Sequence, residues 1–295
     1  MIHTQFRNDL LKNPIGFFSI GTWIAAVSVL TNVLLKYFPS LQIVIYVSAF
    51  INIFCWAIFV CLAFINLWKL SKAKKVKIHG LILLGAVATQ STVIMSKAVF
   101  PNFPAWICIV WICIGLLLYG AGFVLLFRMY VLNSDWNLAT DWKNTNCVIH
   151  GALSISGVAI AVSNAFPENA VIICWSAAFL LLLIIETIEI IRAYKRIKSF
   201  GYRQALLVFD TSQWARNFTF GMFFVLSKYA FVNISTSVSI KTVRYIEQSL
   251  RIWAIIIIIL LIFEFILLLY SVFLKKRQNI KKPRLLTSQH TKELL

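Results

Sequence analysis

The sequence predicts an all-α polytopic membrane protein: eight transmembrane helices in four hairpins, with an inner ring of odd helices and an outer ring of even ones. Three observations carry that prediction. Of the 295 residues, 60% are apolar and 13% charged, and the mean hydropathy is +0.84, a composition outside the soluble globular range. Eight long apolar stretches follow one another with short polar breaks, each approaching the roughly 20 residues that cross a hydrocarbon core of about 30 Å. The stretches also alternate in character, a glycine- and hydroxyl-bearing one preceding an almost purely aliphatic one.

In chain order, the first stretch (15–35) holds Gly16, Ser19, Gly21 and Thr22, and the second (42–68) is greasy throughout. The third (79–98) holds Gly80, Gly85 and the run Thr89, Gln90, Ser91, Thr92; the fourth (104–132) is aliphatic except at Gly115, Gly120 and Gly122. The fifth (146–164) carries Gly151, Ser154, Ser156 and Gly157, and the sixth (168–191) contains AFLLLLII at 178–185. Asp210 with Gln213 three residues later reads as a capping box opening the seventh (211–231), which carries Gly221. The eighth (249–274) contains IIIIILLIF at 255–263. Small residues let transmembrane helices approach closely, so the odd-helix glycines are either packing notches or the lining of a common axis. Their recurrence in all four odd stretches favours the axis. All six prolines fall in loops or at expected helix ends, so any inner-ring kink must come from glycine. Residues 1–274 form one transmembrane domain, and 275–295 a basic cytoplasmic tail expected to be mobile.

The net charge of +18 has a topological meaning. Lysines crowd 69–77, Arg192, Lys195, Arg196, Lys198 and Arg203 follow the sixth stretch, and the tail adds seven more. With Arg7, Lys12, Arg128 and Lys143 these define one basic side, against Lys36, Lys97, Lys241, Arg244 and Arg251 on the other. The positive-inside rule places both termini in the cytoplasm and the chain in the cytoplasmic membrane. Splitting either of the longest stretches would reverse a basic loop, which favours eight helices over ten. Membrane lipid, not nucleic acid, is the partner of this charge. Trp106, Trp175 and Trp253 near outer helix ends, and Trp68 and Trp214 near inner ones, read as interface anchors. The six cysteines lie in or beside apolar stretches, giving no disulfide framework. No metal-ligand spacing or phosphate-cradling loop is present, so neither a cofactor nor enzymatic chemistry is expected.

The segment 210–224, DTSQWARNFTFGMFF, is the most informative. Arg216 and Phe220, four apart, share one helix face. An arginine less than two turns into the bilayer needs water or a partner. Either Arg216 meets an anion with Phe220 plugging the path, or Arg216 snorkels and Phe220 packs against a neighbour. His150 shares a face with Ser154 and could bind an anion or proton, or simply pack. Thr89, Gln90 and Thr92 offer uncharged donors to a partly hydrated anion, or bond between helices. Glu186 and Glu189 have Arg128 and Arg192 as candidate ion-pair partners, while Glu264 is the candidate for proton coupling. Lys241, Arg244 and Arg251 recur at helical spacing on the outer side, forming an anion-concentrating entrance or a grip on lipid phosphates.

The stretches NPIGFFSIGTW (13–23), HGLILLGAVATQS (79–91), TNCVIHGALSISGVA (145–159) and DTSQWARNFTFGMFF (210–224) resemble the inner helices of the tellurite-resistance/C4-dicarboxylate transporter family, which includes the plant slow-type anion channels. The resemblance covers about a third of the chain. It implies a homotrimer with one pore per subunit, lined by odd helices and closed by a phenylalanine. FTFG at 218–221 is similar to the segment bearing that residue, which marks Phe220 and then Phe218 as the gate. The implied substrates are small anions: chloride or nitrate, sulfite, tellurite or a dicarboxylate. Family members have ten helices in five hairpins, where this sequence reads as eight in four. The expected function is anion transport; the alternatives are a proton-coupled carboxylate or oxyanion carrier, and a non-transporting membrane sensor or scaffold.

Overall fold

A computed structural model describes residues 13–73, 76–234 and 240–292. Every element among them is helical. Eight long helices stand where apolar stretches were expected: α1 (Ile20–Tyr37), α2 (Gln42–Lys72), α3 (Leu84–Val99), α4 (Ala105–Phe127), α5 (Val148–Ser163), α6 (Glu168–Phe200), α7 (Trp214–Ile234) and α8 (Ile240–Lys292). Seven of them, with the turns that adjoin them, are long and apolar enough to span a membrane, and α7 is outside that set. Arg216, Asn217 and Lys228 lower its hydropathy. Arg7, Lys12, Lys74 and Lys75, used above for orientation, lie outside the described residues.

The helix ends depart from expectation where apolar counting stops being informative. The basic segment after 191 is not a loop: α6 runs on to Phe200, and a five-residue helix, Tyr202–Leu206, follows. Lysines and arginines in its final turns complement the negative helix end, so charge there is compatible with helix. Likewise α8 begins at Ile240, nine residues before the apolar run, and its backbone continues through Pro283 into the segment expected to be a mobile tail.

A short 3-10 turn precedes each odd helix: Gly16–Ser19, Gly80–Leu83, Asn144–Cys147 and Thr211–Gln213. The turns touch in that order, so the four odd helices start at one end of the bundle and run parallel. Side chains fix the junctions. Gly80 N donates to Asn146 Oδ1 at 2.7 Å, His79 Nδ1 lies 3.0 Å from Thr145 Oγ1, and Asn144 Nδ2 donates to Ser212 Oγ at 2.9 Å. Asp210 and Gln213 form the expected capping box. This end also carries the basic loops and is called the basic end below.

The odd helices pack in the row α1–α3–α5–α7, and the even helices lie against its flanks. α3 and α5 form the buried centre, 83% enclosed in each case against 11% for α8. Among the described residues α1 and α7 share no packed face, so the row is open where a ring was expected. The glycines of the row mostly act as contact notches. A Cβ on Gly21 would meet the Leu84 carbonyl at 2.7 Å, and one on Gly151 would strike the side chain of Thr219. Gly221 differs, having no atom within 4 Å of such a Cβ.

The tryptophans divide. Trp68 and Trp106 are exposed as interface anchors should be. Trp175 and Trp253 instead turn inward onto Phe223, with Trp175 Nε1 donating to Ser227 Oγ and Trp253 Nε1 to the Phe220 carbonyl. All six cysteines are free.

Candidate functional site

The ion-paired charged side chains that the bundle encloses converge at its basic end, between α6 and α7. Arg216, in the first turn of α7, places Nη2 3.0 Å from Glu189 Oε2 and Nε 3.7 Å from Glu186 Oε1. Both carboxylates belong to α6, three residues apart on one face. Arg192 shares Glu189, with Nη1 3.1 Å from Oε2. Of the two expected cationic partners Arg192 takes part. Arg128 does not: it is exposed at the end of α4 and forms no ion pair among the described residues, and Arg216 occupies the place foreseen for it.

Glu189 is the most heavily bonded of these groups. Trp142 Nε1 donates to Oε1 at 2.8 Å, from a loop 47 residues earlier in the chain. Arg192 Nη1 also donates to Asn144 Oδ1 at 2.7 Å, which ties the same loop to α6. Glu186 is held more loosely, by the long contact to Arg216, and its buried Oε1 accepts no hydrogen bond among the described residues. Arg216 Nε and Nη2 are ion-paired, yet their N–H groups are not aligned on an acceptor. Two arginines face two glutamates, so the pair charges balance within the protein.

Phe220 stands one turn further along α7. It is buried, with its ring centroid 6.1 Å from that of His150 and 5.3 Å from that of Trp253. His150 is fully enclosed, and neither ring nitrogen has a hydrogen-bond partner among the described residues. Phe218 is half-buried against the larger apolar cluster on another face of α7. Asn217 turns towards α8, where Nδ2 donates to Glu264 Oε2 at 2.7 Å. Arg216, Phe220, His150 and Glu264, all singled out in the sequence, therefore fall within one region.

The remaining expected residues lie elsewhere. Thr89, Thr92 and Ser154 are buried, and each hydroxyl donates to the carbonyl four residues earlier in its own helix, which spends the proton that would have met an anion. Thr89 Oγ1 also accepts from Trp56 Nε1, and Gln90 Nε2 donates to the Ile112 carbonyl. These contacts match the interhelical alternative. Lys241, Arg244 and Arg251 are exposed at the start of α8, away from the charge cluster. Among the described residues no group of His, Cys, Asp and Glu is arranged to hold a metal ion.

Trp142, Asn144 and Asn146 escaped the sequence reading. Their signal is faint: a polar run, DWKNTN (141–146), placed directly before a helix with no charged residue. No family model, curated protein or solved structure matches this chain.

Proposed function

We propose that this chain is a membrane transport protein that carries small anions together with protons, with both termini in the cytoplasm and all eight helices spanning the cytoplasmic membrane. The observation that carries the proposal is the half-buried Arg216 balanced by two carboxylates of unequal hold. An intramembrane ion pair marks a substrate or proton path by default. Glu189 is fixed by Trp142 and Arg192 and serves as the permanent counter-ion. Glu186 is the titrating group: when it takes a proton its charge no longer holds Arg216, and the guanidinium accepts the substrate's carboxylate or oxyanion. Release of the proton restores the internal pair and expels the anion. One proton then accompanies each anion, whatever the anion's charge. Glu264, bonded to Asn217, lies beside the same region as a third carboxylate that polarises α7.

The test is uptake of malate, sulfite and nitrate into vesicles containing the purified protein under an imposed pH gradient. Acid outside should drive accumulation. Glu186→Gln should leave exchange without pH drive, Glu264→Gln should retain the drive, and Arg216→Met should abolish uptake. Uptake indifferent to the gradient in the unaltered protein would overturn the carrier.

A second reading, an anion channel gated by Phe220, is favoured by one contact set: Phe220 wedged between His150 and Trp253 one turn beyond Arg216. There Phe220→Ala raises passive anion flux severalfold, with no dependence on the proton gradient. The four segments that resemble the tellurite-resistance/C4-dicarboxylate transporters support the same substrate class in either reading.

A further inference from the structure

Beside the charge cluster, but outside it, a pocket of about 280 Å³ opens at the basic end between the last turns of α6 and the loop before α5. Lys195, Lys198 and Ser199 form one wall, and Trp136, Asn137 and Leu138 the other. We infer that this pocket binds the phosphate headgroup of an anionic phospholipid from the leaflet at that end. The inference concerns binding and does not depend on transport.

Several features fit that class of ligand. Two lysines three residues apart on α6 line the same opening, and both are exposed. Basic pockets beside helix ends at the cytoplasmic surface bind lipid headgroups in this way. The opposite wall is mixed in character: an indole and a leucine suit a glycerol backbone and the start of an acyl chain, where a freely soluble phosphate would find only polar partners useful. Trp136 is held in place, 5.0 Å from Tyr130 in an edge-on contact and 6.2 Å from Trp142.

Of the loop's two acids, Asp141 is already matched: it carries the Lys77 ammonium at 2.6 Å and accepts from Asn137 N at 2.9 Å. Asp135, which precedes Trp136, is exposed and forms no ion pair among the described residues, so the two lysines outnumber the one unmatched acid. The wall is itself built: Ala139 N donates to Asn137 Oδ1, and Trp142, at the end of the same loop, donates to Glu189.

Native mass spectrometry of the full-length protein, in micelles carrying equal amounts of phosphatidate and phosphatidylcholine, tests the assignment. One phosphatidate should be retained in preference. Replacing both lysines (Lys195→Ala with Lys198→Ala) should weaken its retention about thirtyfold, about one kilocalorie per lysine. Trp136→Leu should weaken it with the charge unchanged. Lys69→Ala with Lys72→Ala, which removes the same charge from the exposed end of α2, should have no effect. Equal loss in that control pair, or equal retention of phosphatidylcholine, overturns the site as a general charge effect. Competition by inorganic phosphate at the affinity of phosphatidate overturns the lipid reading in favour of a soluble phosphate.

Discussion

Glu186 and Glu189 sit one turn apart on α6, yet they should respond differently to the same substitution. Removing one member of a fully bonded buried pair typically costs about 3–5 kcal/mol, because the remaining charges lose their counter-ion. Glu189→Gln does this to Arg192 and Arg216 together and weakens the acceptor of Trp142, so its thermal unfolding midpoint in detergent should fall sharply. Glu186, a quarter exposed and 3.7 Å from its partner, should tolerate Gln within about 1 kcal/mol, as partly solvated pairs do. Equal losses would show that the two carboxylates are not differentiated and would remove the basis for assigning proton exchange to Glu186. The sequence made part of this site legible. Arg216 and Phe220 stood out because helical spacing relates residues close in the chain, whereas Trp142 meets Glu189 across 47 residues, which no local period encodes. The hydroxyls of Thr89, Thr92 and Ser154 left two readings open for a related reason: side-chain identity shows a donor but not which carbonyl it meets.

At the scale of elements, the recurrent glycines invited one explanation and have two environments. A Cβ on Gly80 would collide with the Thr145 carbonyl, backbone against backbone, at the junction of two 3-10 turns. Gly80→Ala should therefore separate the turns before α3 and α5 and lower the unfolding midpoint by many degrees. Gly221→Ala meets open space and should be neutral, or stabilising by up to about 1 kcal/mol through helix propensity. A Gly221→Ala variant as unstable as Gly80→Ala would place a packed neighbour on α7 that the fold lacks. The loop before α5 has its own staple, the Lys77–Asp141 pair. Lys77, and then the Asn137 amide, hold the Asp141 carboxyl below its ordinary range. A carboxylate depressed in the folded state stabilises above its unfolded pKa, and the contribution is lost as pH falls through the folded value. The midpoint of the unaltered protein should thus exceed that of Asp141→Asn near neutral pH, and the gap should close below about pH 4. A gap that persists unchanged into acid would mean that the pair does not bear on stability.

For the whole molecule, the open question is whether α7 crosses the membrane with its seven more apolar companions. Composition alone sets it apart, yet packing removes two of the reasons for exclusion and leaves Lys228, which is exposed over the Phe224 ring of its own helix. Arg216 is paired with α6, Asn217 with Glu264 of α8, and Ser227 accepts from Trp175. Polar groups satisfied by neighbouring helices are compatible with a span. The turns preceding all four odd helices also share one end, which requires α6 to return the chain to that end before α7 begins. The all-helical, membrane-type architecture was readable from the apolar runs; the open row was not, because which helices touch depends on contacts distributed along whole faces. Single cysteines in a background lacking the six native ones can decide the topology. In intact cells an impermeant maleimide should label Ser40→Cys and Lys241→Cys, while Ser199→Cys reacts only after permeabilisation. If α7 does not span, Lys241→Cys will behave like Ser199→Cys, and the Arg216 cluster will lie at the membrane surface, where its charges need no internal balance. Labelling of Ser199→Cys alone in intact cells would invert the orientation that the basic loops imply, and would place the lysine pocket in the opposite leaflet.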